Sequence, residues 1–193
     1  MSASEQAVYF TELSNHFLVA MPAMTDPNFA GTVVYLAEHS SKGALGIVVN
    51  RPLEIDLANL FDRISLKLDD PRYATRPVFS GGPVQNDRGF VLHSPVGDYS
   101  SSIRVGDQIA LTSSKDVLEA VANGVGPPKL LMALGYAGWG EGQLEEEIAA
   151  NAWLTVPASP ELIFEVPAEE RFLHAFGLLG IHPAFLSSAA GHA

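Results

Sequence analysis

The apolar positions of this chain come in short runs punctuated by glycine, proline and small polar residues, a pattern of strands more than of long helices. Residues 16–21 form the first run; Pro22 stops it, and Met24-Thr25-Asp26-Pro27 has turn chemistry. Residues 32–39 and 44–50 are β-branched and aromatic on either side of Ser40-Ser41-Lys42-Gly43, which predicts a hairpin. Both runs are apolar almost throughout instead of alternating, so burial on both faces, mid-sheet, is expected. Further strands are expected over residues 77–80, 89–93, 109–112, 129–136 and 153–156, with an edge strand at 163–166.

Helical spacing is confined to short stretches. Asp56 can cap a helix whose Leu57, Leu60 and Phe61 share one face. Ser113 is expected to cap a second, with Val117, Leu118 and Val121 as its buried stripe and Gly124 at its end. A third spans residues 141–150, with Leu144, Ile148 and Ala152 at spacings of four. A fourth starts at Pro167, carries Glu169 and Glu170 in its first turn, presents Phe172, Ala175, Phe176 and Leu179, and stops at Gly180. Residues 66–76 and 94–107 read as loops. Hairpins and strand–helix–strand passages together predict an α/β chain of α+β-like character: one compact domain over residues 15–193, a mixed sheet with helices on its faces, preceded by a flexible arm at 1–14, with a tail that frays from His182.

Composition narrows the function classes. The chain has 193 residues, 47% of them hydrophobic, which suits a single core. It has no cysteine, so disulfides, thiol nucleophiles and thiolate-held metals are excluded. No basic segment precedes an early apolar run, and no apolar stretch is long enough to span a bilayer; a cytoplasmic protein without membrane attachment is expected. With 22 acidic against 11 basic side chains, the net charge of −11 opposes polyanion binding. The basic residues are scattered singly along the chain, so direct nucleic-acid binding is not expected, though clustering in the fold would reopen it.

Four places carry candidate chemistry. Gly81-Gly82-Pro83 follows a strand and lacks the lysine and spacing of a phosphate loop, so a plain turn is the favoured reading over an anion site. Residues 135–147 set four glycines around Tyr136 and Trp139 between a strand and a helix start, with Gln143 and Glu145 following; this is a ligand-site position in α/β proteins, but the glutamates oppose an anion there, and a flexible turn with a Trp anchor and a well-capped helix is the favoured reading. His39 and His93 each close a strand, but adjacent strand residues point oppositely, so Glu38 and His39 do not make a metal pair without a bulge. Asn50 and Arg51 stand where an apolar strand ends. No catalytic set, no metal and no cofactor is nominated.

Several of these residues also form a recognisable series. Phe17-Leu18-Val19-Ala20-Met21-Pro22, Asp26-Pro27 with Phe29, Tyr35 with Glu38-His39, Gly43-Ala44 with Gly46 and Asn50-Arg51-Pro52, Gly81-Gly82-Pro83 leading to Phe90, Leu92 and His93, Gly135-Tyr136-Ala137-Gly138-Trp139-Gly140 with Gly142-Gln143-Leu144-Glu145, and Asn151 with Trp153 together resemble the YqgE/AlgH family, in its order, from His16 to Gly191-His192-Ala193. The resemblance implies a bacterial, mostly cytoplasmic group whose curved, partly bifurcated sheet is flanked by helices, with no established catalytic residues or cofactor. Members are often labelled transcriptional regulators, a cellular effect and not a chemistry. Some carry cysteine, which this chain lacks.

Two functional expectations follow. The first is a regulator acting by binding a protein or small ligand through the 135–147 elbow and the 81–83 turn, with Trp139 as its anchor if exposed. The second is a ligand receptor or enzyme whose cleft gathers His39, His93, Asn50 and Arg51; it requires those residues to share one pocket.

Overall fold

The computed structural model describes residues 11–181 and 184. Along its first strand, β1 (His16–Ala20), Phe17 and Val19 enter one core while Leu18 and Ala20 enter another. Successive strand side chains point to opposite faces, so an unbroken apolar run is what a strand covered on both sides needs. The same division holds in β2 (Val33–Ser40), where Val33, Tyr35 and Ala37 face one way and Val34 and Leu36 the other. The hairpin to β3 (Gly43–Val48) forms with Ser40 opposite Gly43.

The remaining strands are β4 (Pro52–Asp56), β5 (Pro77–Ser80), β6 (Val84–Ser94), β7 (Ser102–Val105), β8 (Ile109–Thr112), β9 (Lys129–Trp139) and β10 (Trp153–Pro157). The main path runs β10-β1-β2-β3-β9-β6-β8-β7. All of its pairs are antiparallel, whereas β5 joins β9 in parallel and carries β4 on its far side, which makes the sheet mixed and forks it. Five helices, α1 (Leu57–Arg63), α2 (Asp116–Ala122), α3 (Gln143–Ala149), α4 (Pro160–Phe164) and α5 (Arg171–Leu178), cover its faces among the described residues.

One face is continuous. Phe17, Tyr35, Phe90, Leu92, Leu131 and Ala133 share it with α4 and α5, and it curls far enough to include Val105 at the end of β7. The opposite face is split in two by the fork. Leu57, Phe61, Val117 and Val121 of α1 and α2 pack on Val78, Val91, Leu130 and Met132, while Leu144 of α3 packs with Trp139, Trp153 and the β1–β3 side chains.

The Asp56 cap is present as a reciprocal capping box with Asn59. Other expectations need correction. Residues 163–166 are not an edge strand: Leu162 and Ile163 sit in α4, which Pro160 starts at its first helical position with Glu161 in its first turn. Ser113 does not cap α2, which begins at Asp116 without a side-chain cap. The 94–107 loop contains β7, and β4 fills residues left unassigned. Strand β9 does not stop at Tyr136 but continues to Trp139, because its glycines mark a close backbone approach and not a break. Pro167 leads into a single 3-10 turn, Ala168–Glu170, and α5 proper starts at Arg171.

Residues 1–10 of the expected arm and the tail beyond 181, apart from Ala184, lie outside the described residues. Leu13, also assigned to that arm, donates its backbone N–H to His39 Nδ1 at 2.9 Å.

Candidate functional site

The fork is the place where sequence-distant candidates meet. Strand β9 pairs with β6 along one edge, while its other edge serves β5 at Ala133 and Leu134 and then β3 from Ala137 onward. Gly81 bridges the gap: its N–H donates to the Leu134 carbonyl at 2.8 Å, and its own carbonyl accepts from the Val48 N–H at 2.8 Å. Gly82 then lies directly on the β9 backbone, where a Cβ would stand 2.1 Å from the Tyr136 carbonyl carbon; a Cβ on Gly135 would meet the Gly82 oxygen at 2.4 Å. Gly81, Gly82 and Gly135 are therefore glycines because two main chains cross without room for a methyl group.

A cleft of about 350 Å³ opens in this fork, lined by Asn28, Arg51, Ser80, Gly82, Pro83 and Asn86 together with Val48. Its wall is fixed by Asn50 and Arg51, in the link between β3 and β4. Arg51 donates to the carbonyls of Asn28 and Ala30, both at 2.7 Å. Asn50 accepts the Val33 N–H and donates to the Gly31 carbonyl, both at 2.9 Å. Asn28, Ser80 and Asn86 had no sequence signal as isolated small polar residues; only the fold brings them to one cleft. Val84, one residue beyond Pro83, lines a second and more open cleft of about 570 Å³ with Tyr136, Glu38 and Lys42.

Around α3 the candidates are committed to structure. Trp139 is 5% exposed and is not an interface anchor: it stacks on Phe29 at 5.9 Å and meets Trp153 edge-on at 6.0 Å. Both indole N–H groups donate to Glu147 Oε1, at 3.2 and 3.0 Å. Gln143 closes the turn by accepting the Gly140 N–H at 3.0 Å and donating to Glu147 Oε2 at 3.0 Å. His39 is buried and meets Glu145 Oε1 through Nε2 at 2.6 Å. Since the Leu13 N–H can only donate, it assigns Nδ1 as the acceptor and puts the ring proton on Nε2. Burial, the largest single influence, raises the Glu145 carboxyl, but the hydrogen bond from His39, a backbone hydrogen bond and the electrostatic pull of His39 together hold the group below its ordinary value.

His93 belongs elsewhere, buried between β6 and β8. Its Nδ1 donates to the Pro95 carbonyl at 3.0 Å, which leaves Nε2 to accept from the Thr112 hydroxyl at 2.7 Å. Burial pushes this imidazole below its ordinary range, against the smaller opposing pull of the Pro95 carbonyl. The linkage sign follows: below about pH 6.5 the unfolded chain takes up a proton that the folded chain refuses, so stability falls with pH by up to about 1.4 kcal/mol per unit from this site. The expected result is a falling urea midpoint between pH 7 and the lowered native value, and a shallower fall in His93→Gln. Equal slopes for the two proteins would remove His93 as the cause.

His39, His93 and the Asn50-Arg51 pair are thus tied to α3, to β8 and to the 26–31 loop respectively, and do not line a common cleft. The Gly81-Gly82-Pro83 turn and the Gly135-Tyr136 stretch, by contrast, are one location. Among the described residues no helix is long and apolar enough to cross a membrane, and no three His, Asp or Glu side chains converge as metal ligands would.

A forked, curled mixed sheet with helices on both faces and a glycine crossing at the fork defines a distinct α/β class. Residues 17–184 match the family described as AlgH-like, and the chain belongs to that family. It is 63% identical over 181 residues to a UPF0301 protein of Ralstonia nicotianae, covering 94% of this chain and 95% of that protein. A UPF0301 protein of Cupriavidus metallidurans is 59% identical over the full length of both. Among solved structures, the AlgH protein from Pseudomonas aeruginosa matches with a TM-score of 0.77 at 49% identity, covering 95% of this chain and 97% of that one. A Corynebacterium diphtheriae protein shares the fold at a TM-score of 0.68 with 19% identity, over 86% of this chain and 87% of that one.

Proposed function

We propose that this AlgH-like protein is a regulator that acts by binding a small polar ligand in the fork cleft, not by catalysis, and that it works in the bacterial cytoplasm as the family resemblance suggests. The observation that carries the reading is the cleft itself. It sits where two strands part from one edge, a position that gives ligands access to backbone and strand-end side chains in α/β proteins. Its walls are immobilised by Asn50 and Arg51, so little ordering is left for a ligand to impose. His39 and His93, the two histidines among the candidate residues, are engaged in hydrogen bonds within the fold. A net charge of −11 disfavours a nucleic-acid partner.

The test is a thermal-shift screen of neutral and zwitterionic metabolites, followed by amide chemical-shift mapping of any hit. A ligand at a hundredfold excess over its Kd adds about 2.7 kcal/mol of stability, which a melting curve resolves. The expected hit perturbs the amides of Asn28, Ser80 and Asn86 and binds about tenfold more weakly to Asn86→Ala, the loss of one polar contact. Asn86 is exposed, so the variant keeps the fold. A flat screen, or a hit indifferent to Asn86→Ala, would overturn the reading.

A further inference from the structure

The eleven basic side chains are scattered in sequence, yet three of them line one cleft. Arg63 at the end of α1, Arg88 on β6 and Lys115 just before α2 surround a space of about 460 Å³ above the sheet, between the two helices. It shares no lining residue with the fork cleft. Among the described residues none of the three cations has a carboxylate partner within ion-pair distance. In a protein with twice as many acidic as basic groups, a cleft lined by three cations and no carboxylate reverses the overall charge balance locally.

Neighbours hold Arg88 without cancelling its charge. Arg88 donates to Gln85 Oε1 at 3.3 Å and to Ser113 Oγ at 3.4 Å, with its guanidinium 5.3 Å from the centre of the Phe90 ring. All of these partners are neutral. Asp116 adjoins Lys115 in sequence, but its carboxylate accepts the Ser100 N–H at 2.8 Å, the Ser100 hydroxyl at 3.0 Å and the Ser114 hydroxyl at 2.5 Å instead. The floor of the cleft is apolar, made by Leu118 and Met132. A Cβ at Gly89 would stand 2.6 Å from the Met132 methyl, so the glycine leaves that floor its room.

We propose that this cleft is a second binding site, which takes a small phosphate monoester carrying an apolar or planar body. Two guanidiniums and an ammonium suit a phosphate dianion, because guanidinium forks match its oxygens in pairs. The Ser113 hydroxyl adds a neutral donor at the same rim. The apolar floor accepts the body, and the small number of cations restricts the ligand to a single phosphate group: a polymer would lay its other charges over an acidic surface.

Phenyl phosphate is the probe, titrated into the 15N-labelled full-length chain at about 20 mM salt, where screening is weak. The expected result is saturable shifts of the Gly89, Ser114 and Leu118 amides with a Kd of about 1 mM or tighter. Phenol, which lacks the charge, and benzoate, which carries one charge in place of two, bind at least about tenfold more weakly. Arg88 and Lys115 are exposed, and the double variant Arg88→Gln/Lys115→Gln keeps a folded spectrum while its affinity drops at least about tenfold. Asn86→Ala leaves the titration unchanged, which separates this site from the fork cleft. The proposal is overturned by an absence of shifts at about 10 mM phenyl phosphate, by shifts confined to the fork, by equal binding of benzoate, or by undiminished binding to the double variant.

Discussion

Gly82→Ala is expected to cost at least about 4 kcal/mol, a large share of the roughly 5–15 kcal/mol that stabilises a typical domain. The added methyl would lie 2.1 Å from the Tyr136 carbonyl carbon, 2.2 Å from its oxygen and 2.5 Å from the Ala137 nitrogen. All three are main-chain atoms of β9, so no flexible side chain can swing aside. Ordinary overpacking costs about 1–3 kcal/mol because side chains and backbone share the adjustment. Here the two crossing strands must separate, and with them the Gly81 bonds to Leu134 and Val48. Backbone conformation adds to this, since Gly82 has φ +152. The control is Gly142→Ala: its φ is +73, but a Cβ there meets nothing within 4 Å, so only the conformational term of about 1–2 kcal/mol remains. Urea unfolding followed by the fluorescence of the two tryptophans measures both. A Gly82→Ala loss no larger than that of Gly142→Ala would show that the strands do not cross this closely.

Arg171→Met is expected to lower stability by about 3 kcal/mol, which for a chain of this length is about 6–12 °C in Tm. Arg171 is 7% exposed at the start of α5, and no carboxylate lies within ion-pair distance among the described residues. Its Nε donates to the Val166 carbonyl at 2.8 Å, its Nη1 donates to that of Val49, and its guanidinium stacks 5.0 Å from the Phe79 ring centre. Burial pushes its pKa down to about 10, which still leaves it charged at neutral pH. Removing a desolvated cation is favourable in itself, and methionine preserves most of the apolar stem. Two buried carbonyls are nonetheless left without donors, at about 1–3 kcal/mol each, and the stacking contact is lost, so the balance is a net loss. Arg171→Lys recovers only part of it, because one ammonium does not reproduce a planar fork spanning two carbonyls. An Arg171→Met protein as stable as the parent would mean that the relief of burying a charge equals the cost of the orphaned carbonyls.

Much of the fold was legible along the chain. Short apolar runs at 16–21, 32–39 and 44–50 specified strands covered on both faces, since period-two alternation disappears only when neither face meets water. Asp56 announced α1 through a cap that acts within three residues. The order of the glycine and aromatic motifs was enough to place the chain in its family. Failures came where local signals competed: Ile163 and Phe164 have strand character, but Pro160 and the packing of Leu162 and Ile163 against the sheet made them helical.

The site was legible only in fragments. Gly81-Gly82 and Gly135 each looked like a turn, and the sequence determined that both positions tolerate unusual backbone. Only the tertiary structure decided that they touch, because one edge of β9 serves β5 and then β3 and forces the chains across each other. The same holds for Trp139, whose burial depends on Phe29 and Trp153 from remote segments, and for Arg63, Arg88 and Lys115, solitary cations in the sequence that line one cleft in the fold. Capping, strand propensity and alternation act over a few residues and are written locally. Crossings, clefts and charge clusters depend on which strands become neighbours, and that is set by the packing of the whole sheet.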